Sequence, residues 1–223
     1  MPLSSRRYTL AEQIADRIIH VVGLVVAVLG VGVLVWLAAG RRDAVMLGGV
    51  MLYGVGLITM LVASALANYD RHDDPKRVAR RERFDHAAIF LMIAGTYTPF
   101  TLSVLAGAWG WGLLAFVWTV ALSGAGLKLA GRLGYAASIA LYLLLGWSIL
   151  PALQPLVAGL AFPPLVLLAV GGAVYTAGVL VFVFSRLPYH TVIWHSMVLV
   201  AAGCHYAAVL TGVVLSARPA PGL

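Results

Sequence analysis

Five polar side chains lie close to the ends of long apolar segments, where they could form a chemical site. Ser64 and Asn68 end one segment, Asp85 begins the next, and Thr191 and His195 begin the last. Residues four apart lie on the same helix face, so each of the two pairs shares a face. Polar groups that persist in apolar helices are costly, which makes these five candidates for a functional site.

Each of these residues also has a simpler explanation. Asp85 could be a carboxylate that is favoured at a helix start, with Arg83 nearby. Asn68 could be an ordinary loop residue. His195 is harder to explain in this way, because its neighbours are apolar or small and no acidic residue follows Asp85 in the chain.

The other histidines do not extend this set by spacing alone. His205 is ten residues beyond His195, about 15 Å along a helix, and is predicted to be a buried interhelical hydrogen-bonding residue. His190 lies about 140° around the helix from His195, so it reaches the same ion only if the helix begins after residue 190. Interfacial positions are expected for the remaining three, His20, His72 and His86.

The elements that position these residues must be membrane helices. Of 223 residues, 62% are hydrophobic and only 10% are charged, against roughly 25% charged in soluble domains. The formal net charge of +7 comes from basic residues in loops, which favours the anionic lipid surface of the cytoplasmic leaflet as partner and argues against nucleic acid. The single cysteine excludes an intrachain disulfide and a cysteine metal cluster.

Seven apolar segments are long enough to cross a membrane. They cover residues 18–39, 44–67, 86–106, 109–127, 135–153, 163–184 and 191–215. Before them, Thr9 and Glu12 form a capping-box pattern, which predicts a short amphipathic helix on the membrane surface within residues 1–17; the alternative is that it extends the first span. The fold class predicted is an all-α seven-transmembrane bundle over residues 18–215, with a C-terminal tail at 216–223.

The distribution of basic residues predicts the orientation. With the N-terminus inside, twelve of the fifteen lysines and arginines are cytoplasmic and three are external, a clear positive-inside asymmetry. The twelve are Arg6, Arg7, Arg17, Arg71, Lys76, Arg77, Arg80, Arg81, Arg83, Lys128, Arg132 and Arg186; the three are Arg41, Arg42 and Arg218. The sequence therefore predicts a multi-pass protein of the cell membrane with an external C-terminus.

Several blocks of the sequence together resemble the hemolysin III family, the bacterial branch of the progestin and adipoQ receptor superfamily. The resemblance runs from about Leu10 to Leu215. The blocks are Glu12 with His20, Phe84–Phe90, Ala94–Phe100, Trp109-Gly110-Trp111, Leu141-Tyr142, Gly146-Trp147, Leu187-Pro188-Tyr189, Trp194-His195 and Cys204-His205. The resemblance implies a seven-helix bundle with its N-terminus inside, which agrees with the distribution of basic residues.

The same resemblance implies a zinc site near the cytoplasmic end, and this chain departs from it. The family pattern has a histidine in SxxxH of the second span and two in HxxxH of the seventh, assisted by a serine and an aspartate. Ser64, Asp85 and His195 match, but Asn68 and Thr191 occupy the other two ligand positions. An amide oxygen and a hydroxyl are poor zinc ligands, so the sequence predicts no stoichiometric zinc and a hydrogen-bonded cluster instead.

Three functions stay open at this point. The first is the pore-forming or membrane-perturbing, cytolytic activity that the family label implies. The second is a zinc-dependent lipid-amide hydrolase resembling the ceramidase-like members of the superfamily, in which Ser64 and Asp85 would orient water and substrate. The third is a non-catalytic lipid-binding receptor. Whether the protein is an enzyme, and in what oligomeric state it acts, does not follow from the sequence.

The orientation can be tested with topology reporters. Reporters inserted within 70–83 and 129–134 should register as cytoplasmic, and a reporter after Arg218 should register as external, because the basic residues concentrate on the first side. The measurement is the activity of paired reporters that work on one side of the membrane only. A cytoplasmic C-terminus would contradict the seven-span arrangement.

Overall fold

A computed structural model describes residues 8–69, 74–105, 107–183 and 187–216, and this part of the chain is almost entirely helical. The helices are α1 (Leu10–Gly40), α2 (Ala44–Tyr69), α3 (Pro75–Ser103), α4 (Gly107–Leu129), α5 (Tyr135–Gly146), α6 (Leu153–Gly159), α7 (Phe162–Val183) and α8 (His190–Val209). A 3₁₀ turn at Leu150–Ala152 joins α5 to α6, and a π-helical turn at Leu210–Val214 extends α8. His72 and the tail beyond residue 216 lie outside the described residues.

Six of the described helical segments are long and apolar enough to cross a membrane: α1, α2, α4, Tyr135–Gly159, α7 and His190–Val214. The predicted all-α, multi-pass membrane architecture is therefore confirmed. The third predicted span, residues 86–106, falls in α3, which is not among the six, so the count of seven spans stays a prediction. Its first half carries charged side chains, and its apolar half contains Thr96, Thr98 and Pro99.

The N-terminal amphipathic segment belongs to the first span. The Thr9 side chain accepts a hydrogen bond from Glu12 N, as the capping-box pattern predicted, but α1 then runs without a break from Leu10 to Gly40. The prediction of a separate interfacial helix is thus wrong, and the alternative, an extended first span, is what the structure shows. The reason is that the polar face of α1 packs inside the bundle: Asp16 is 5% exposed, whereas Leu10 is 73% exposed.

The third and fourth predicted spans are separate helices. Helix α3 ends at Ser103 and α4 begins at Gly107. Gly107 has a φ of +62°, a left-handed conformation that glycine adopts without the steric cost of a side chain. The sharp reversal that this conformation permits explains why an uncharged stretch can end one helix and begin the next.

Backbone contact between glycines packs α2 tightly against α3. A Cβ atom added to Gly56 would lie 3.0 Å from the carbonyl oxygen of Leu91, and one added to Gly95 would lie 3.0 Å from that of Leu52. Small residues at helix contacts allow this approach and are a main source of helix association in membranes. The pair therefore fixes the position of α2, which carries Ser64, against α3, which carries Asp85.

Helices α1 and α8 run in the same direction. Asp16 near the start of α1 contacts His195 near the start of α8, with 2.6 Å between Oδ1 and Nδ1. Further along both helices, the Tyr206 hydroxyl donates a hydrogen bond to the carbonyl of Gly30, at 2.8 Å. Because the two contacts follow in the same order along α1 and along α8, the two helices are parallel.

The α2–α3 contact can be tested with a matched pair of substitutions. Gly56→Ala should destabilise the protein by about 1–3 kcal/mol, because the added methyl group meets backbone atoms that cannot move aside. Gly48→Ala, in the same helix, should be neutral or stabilising by up to about 1 kcal/mol, since nothing lies within 4 Å of its Cβ position. The measurement is unfolding in detergent micelles; equal effects of the two substitutions would contradict the proposed packing.

Candidate metal centre

Three side chains of metal-ligand type meet where α1 and α8 begin. The Nδ1 atom of His195 lies 2.6 Å from Oδ1 of Asp16. The Nδ1 atom of His20, one turn beyond Asp16, lies 2.8 Å from the backbone carbonyl oxygen of Asp16. All three side chains are less than 9% exposed, so they are held away from lipid and water alike.

Ser64 of α2 completes the cluster on its opposite side. Its Oγ atom lies 3.2 Å from Nε2 of His20 and 3.5 Å from Nε2 of His195. The two imidazole rings meet edge to face, with their centroids 4.3 Å apart. Asp16 therefore lies on the Nδ1 side of both rings, and Ser64 lies on the Nε2 side of both.

The hydrogen bonds place a proton on Nδ1 of both rings. A backbone carbonyl and an ionised carboxylate can only accept, so the Nδ1 atoms of His20 and His195 donate to Asp16. Both Nε2 atoms face the hydroxyl of Ser64. The cluster thus concentrates electron-pair donors at one buried place.

The donor set fits a zinc ion. One carboxylate oxygen of Asp16 and one ring nitrogen each of His20 and His195 lie within 4.8 Å of one another. Two imidazoles and one carboxylate form a ligand set that catalytic zinc sites use, and they leave one coordination position open. The described residues therefore contain a metal-binding triad, although the sequence had predicted only one suitable imidazole.

The five residues proposed from the sequence have different positions in this arrangement. Ser64 and His195 belong to the cluster itself. Asn68 donates a hydrogen bond from Nδ2 to the carbonyl of Ser64 in its own helix, at 2.8 Å. Asn68, Asp85 and Thr191 line the same cavity as Ser64 and His195.

The contribution of α1 to the site was not predicted. His20 was expected at the membrane interface and outside any site, and Asp16 was not singled out, whereas the structure buries both side chains in the cluster. The available signal was the spacing of Glu12, Asp16 and His20, which recur every four residues and so share one helix face. An acidic residue one turn before a histidine in an apolar helix indicates a buried pair.

The start of α8 is held in place by α1. The backbone N–H of Tyr189 donates to Oε1 of Glu12 at 2.8 Å, and Tyr189 adopts a left-handed conformation with a φ of 55°. His190 is the first residue of α8 and stacks on Tyr8, with 5.7 Å between ring centroids. His190 therefore packs outside the triad, and the ligands come from α1 instead.

A large cavity extends from the cluster into the bundle. Its volume is about 1220 Å³, and its lining runs from Ser64 and His195 past Tyr175 and His205 to Phe162 at the start of α7. His195 and His205 are ten residues apart in α8, about 15 Å along its axis. Between them the lining is mainly aliphatic and aromatic, as at Met60, and the cavity has the size of a ligand site.

The fold and the cluster define a helical multi-pass membrane protein with a buried Asp-His-His triad whose side chains could hold a metal ion. Comparison with known proteins gives the family. Residues 8–206 match the family described as Haemolysin-III related, and the chain belongs to that family. It is 33% identical to the "Hemolysin-3 homolog" of Bacillus subtilis over 204 residues, covering 91% of this chain and 95% of the relative. It is 35% identical to the "Hemolysin-3" of Bacillus cereus over 200 residues, covering 89% and 90%.

Proposed function

We propose that this protein is a zinc-dependent hydrolase that acts on a lipid amide or ester inside the membrane. The observation that carries the proposal is the meeting of Asp16, His20 and His195 at the head of a large apolar cavity. Asn68 and Thr191 occupy two family ligand positions and are poor zinc ligands. In the structure, Asp16 and His20 of α1 lie beside His195 and supply two ligands instead.

The contacts suggest which atoms would hold the ion. Asp16 lies on the Nδ1 side of both rings, so an ion held by all three residues would bind Nδ1 of each ring, in place of the proton that each Nδ1 otherwise donates to Asp16. The Nε2–H groups of His20 and His195 would then both donate to Ser64, whose oxygen has two lone pairs. Histidine ligands usually donate their second N–H in this way, which orients the ring.

The remaining residues of the site have roles in binding and orientation. Zinc, when bound, supplies a Lewis acid that polarises a carbonyl and activates water. Asp85 lines the same cavity and is proposed to orient water or move a proton at the carboxylate. The apolar lining beyond the cluster would bind the acyl chain and exclude bulk water from the reacting end.

The arrangement of α1 and α8 supports seven spans. If α1 and α8 cross the membrane in the same direction, the segments between them must cross an odd number of times. Helices α2, α4, α7 and the α5–α6 pair account for four of the crossings, so we propose that α3 is the fifth. The positive-inside asymmetry supports a cytoplasmic N-terminus and a cluster at the cytoplasmic end, next to anionic lipid headgroups.

Cytolytic activity is the second candidate, and the names of the two Bacillus relatives favour it. A water-filled pore needs polar side chains along its length, whereas the lining of this cavity is mainly apolar. We therefore place membrane lysis after lipid hydrolysis. A lipid-binding receptor would use the same cavity without turnover, and the assay below separates it from an enzyme.

The proposal predicts near-equimolar zinc in protein purified without chelators. His20→Ala and His195→Ala should lose the metal, because each removes one of three ligands. Ser64→Ala should keep all three ligands but bind zinc about 10–100-fold more weakly, the usual effect of removing an orienting partner. His205→Leu, which removes a histidine of α8 outside the triad, is the control and should retain full occupancy. The measurement is elemental analysis with zinc titration.

The catalytic half of the proposal needs a separate assay. The purified protein in lipid nanodiscs is given a panel of fluorescent lipid amides and esters, before and after chelation. Turnover that disappears with chelator, returns with zinc and is absent in His20→Ala would support the hydrolase. Bound zinc without turnover would contradict it and favour the receptor, while lysis of erythrocytes by His20→Ala as strong as that by unmodified protein would separate cytolysis from the metal centre.

A further inference from the structure

A second group of polar side chains lies inside the bundle, far from the metal-binding triad. The hydroxyls of Tyr53 and Tyr175 and the Nδ1 atom of His205 are shielded from solvent and have no hydrogen-bond partner among the described residues. The sequence predicted that His205 forms an interhelical hydrogen bond, and its Nδ1 atom forms none within the described part of the chain. These side chains come from α2, α7 and α8.

Tyr175 and His205 are direct neighbours. Their rings are stacked, with centroids 5.6 Å apart and an interplanar angle of 20°. Gly171 makes room for the imidazole, because a Cβ atom there would lie 2.8 Å from Nε2 of His205. Any larger residue at position 171 would clash with the His205 ring, so the glycine is what allows the histidine to lie there.

The Tyr175 hydroxyl and the Nδ1 atom of His205 belong to neighbouring rings, and their lack of hydrogen-bond partners among the described residues requires an explanation. Most buried polar atoms in proteins have a hydrogen-bond partner, and exceptions frequently mark a missing water or ligand. The cost of leaving such atoms unpaired is high in the membrane interior, where lipid offers no replacement partner. Tyr175 and His205 also line the cavity, so a rotation of either ring would bring its polar atom to a polar group that is bound there.

The cavity connects this group to the triad. Ser64 and His195 line its near end, Tyr175 and His205 line it further along α7 and α8, and Phe162 at the start of α7 lines it beyond them. The separation of His195 and His205 along α8 is about 15 Å, and the lining of the cavity is mainly apolar. A molecule that fills this space would be apolar in the middle and polar at two points.

We propose that Tyr175 and His205 form a subsite for a hydroxyl or carbonyl group within the chain of the bound lipid. The inference rests on the proposed function, because it assumes that the reacting end of the lipid lies at the triad. The substrate class is then a lipid with an oxygenated acyl chain. A Tyr175 hydroxyl can donate to such a group, and the imidazole of His205 can donate or accept.

The test compares two fatty acids that differ by one mid-chain hydroxyl, ricinoleic acid and oleic acid. Their binding to the purified full-length protein in nanodiscs is measured by displacement of a fluorescent fatty acid. Ricinoleic acid should bind about tenfold more tightly than oleic acid, because one additional hydrogen bond changes an affinity by about that factor. Tyr175→Phe should bring the ratio close to one while the affinity for oleic acid stays the same.

Tyr142→Phe is the matched control. Tyr142 lines the same cavity, but its hydroxyl already donates to the carbonyl of His86 at 2.7 Å, so the preference for ricinoleic acid should persist. The folding of each variant is checked by its melting temperature, and Tyr175→Phe should not lower it, since it removes an unpartnered hydroxyl.

The outcomes separate this inference from the function on which it rests. Equal affinities for the two fatty acids, or a preference that Tyr175→Phe leaves intact, would overturn the subsite and indicate that only water occupies it. Failure of both fatty acids to bind would overturn the lipid-binding cavity itself, and with it both proposals.

Discussion

The hydrogen bond between Asp16 and His195 is the interaction on which the rest of the structure depends. An ionised carboxylate inside a membrane bundle is strongly unfavourable unless it is paired. Asp16 meets this requirement through Nδ1 of His195 at 2.6 Å. Because the partner lies 179 residues away in the chain, this one bond brings the first and last helices together.

Other contacts at the same end maintain the geometry that this bond needs. Glu12 accepts a hydrogen bond from the backbone of Tyr189, which fixes the residue before α8. Arg17 donates to the carbonyl of Tyr69 at 2.9 Å, which holds the end of α2 and thereby Ser64. Three separate attachments between α1 and its neighbours make the cluster a rigid part of the bundle, and rigidity is what a metal site requires of its ligands.

At the other end of the bundle, Tyr97 bridges the break between α5 and α6. Its hydroxyl shares one proton between the carbonyls of Leu145 and Gly146, each at 2.9 Å, and accepts from the N–H of Ile149. These backbone groups lie where the regular helical hydrogen bonding of α5 ends. The broken helix can therefore lie beside the cavity without exposing unpaired backbone to lipid.

Much of the fold could be predicted from the sequence, and less of the site. Apolar segment lengths predicted the membrane helices, because the thickness of the bilayer fixes how many residues a span needs. The capping box of Thr9 and Glu12 could also be predicted, because it depends only on residues that are close in the chain. The burial of Asp16 and His20 depends on α8, which no local pattern reports. An amphipathic start of a helix looks the same whether its polar face meets water or other polar side chains.

The central claim is that Asp16, His20 and His195 together hold one metal ion, and X-ray absorption at the zinc edge tests it most directly. In zinc-loaded protein the account predicts nitrogen and oxygen ligands with the scattering signature of two imidazoles, and of one imidazole in any zinc that His20→Ala retains. A sulfur ligand, which would point to Cys204, would contradict the account. So would a spectrum of two imidazoles that His20→Ala leaves unchanged.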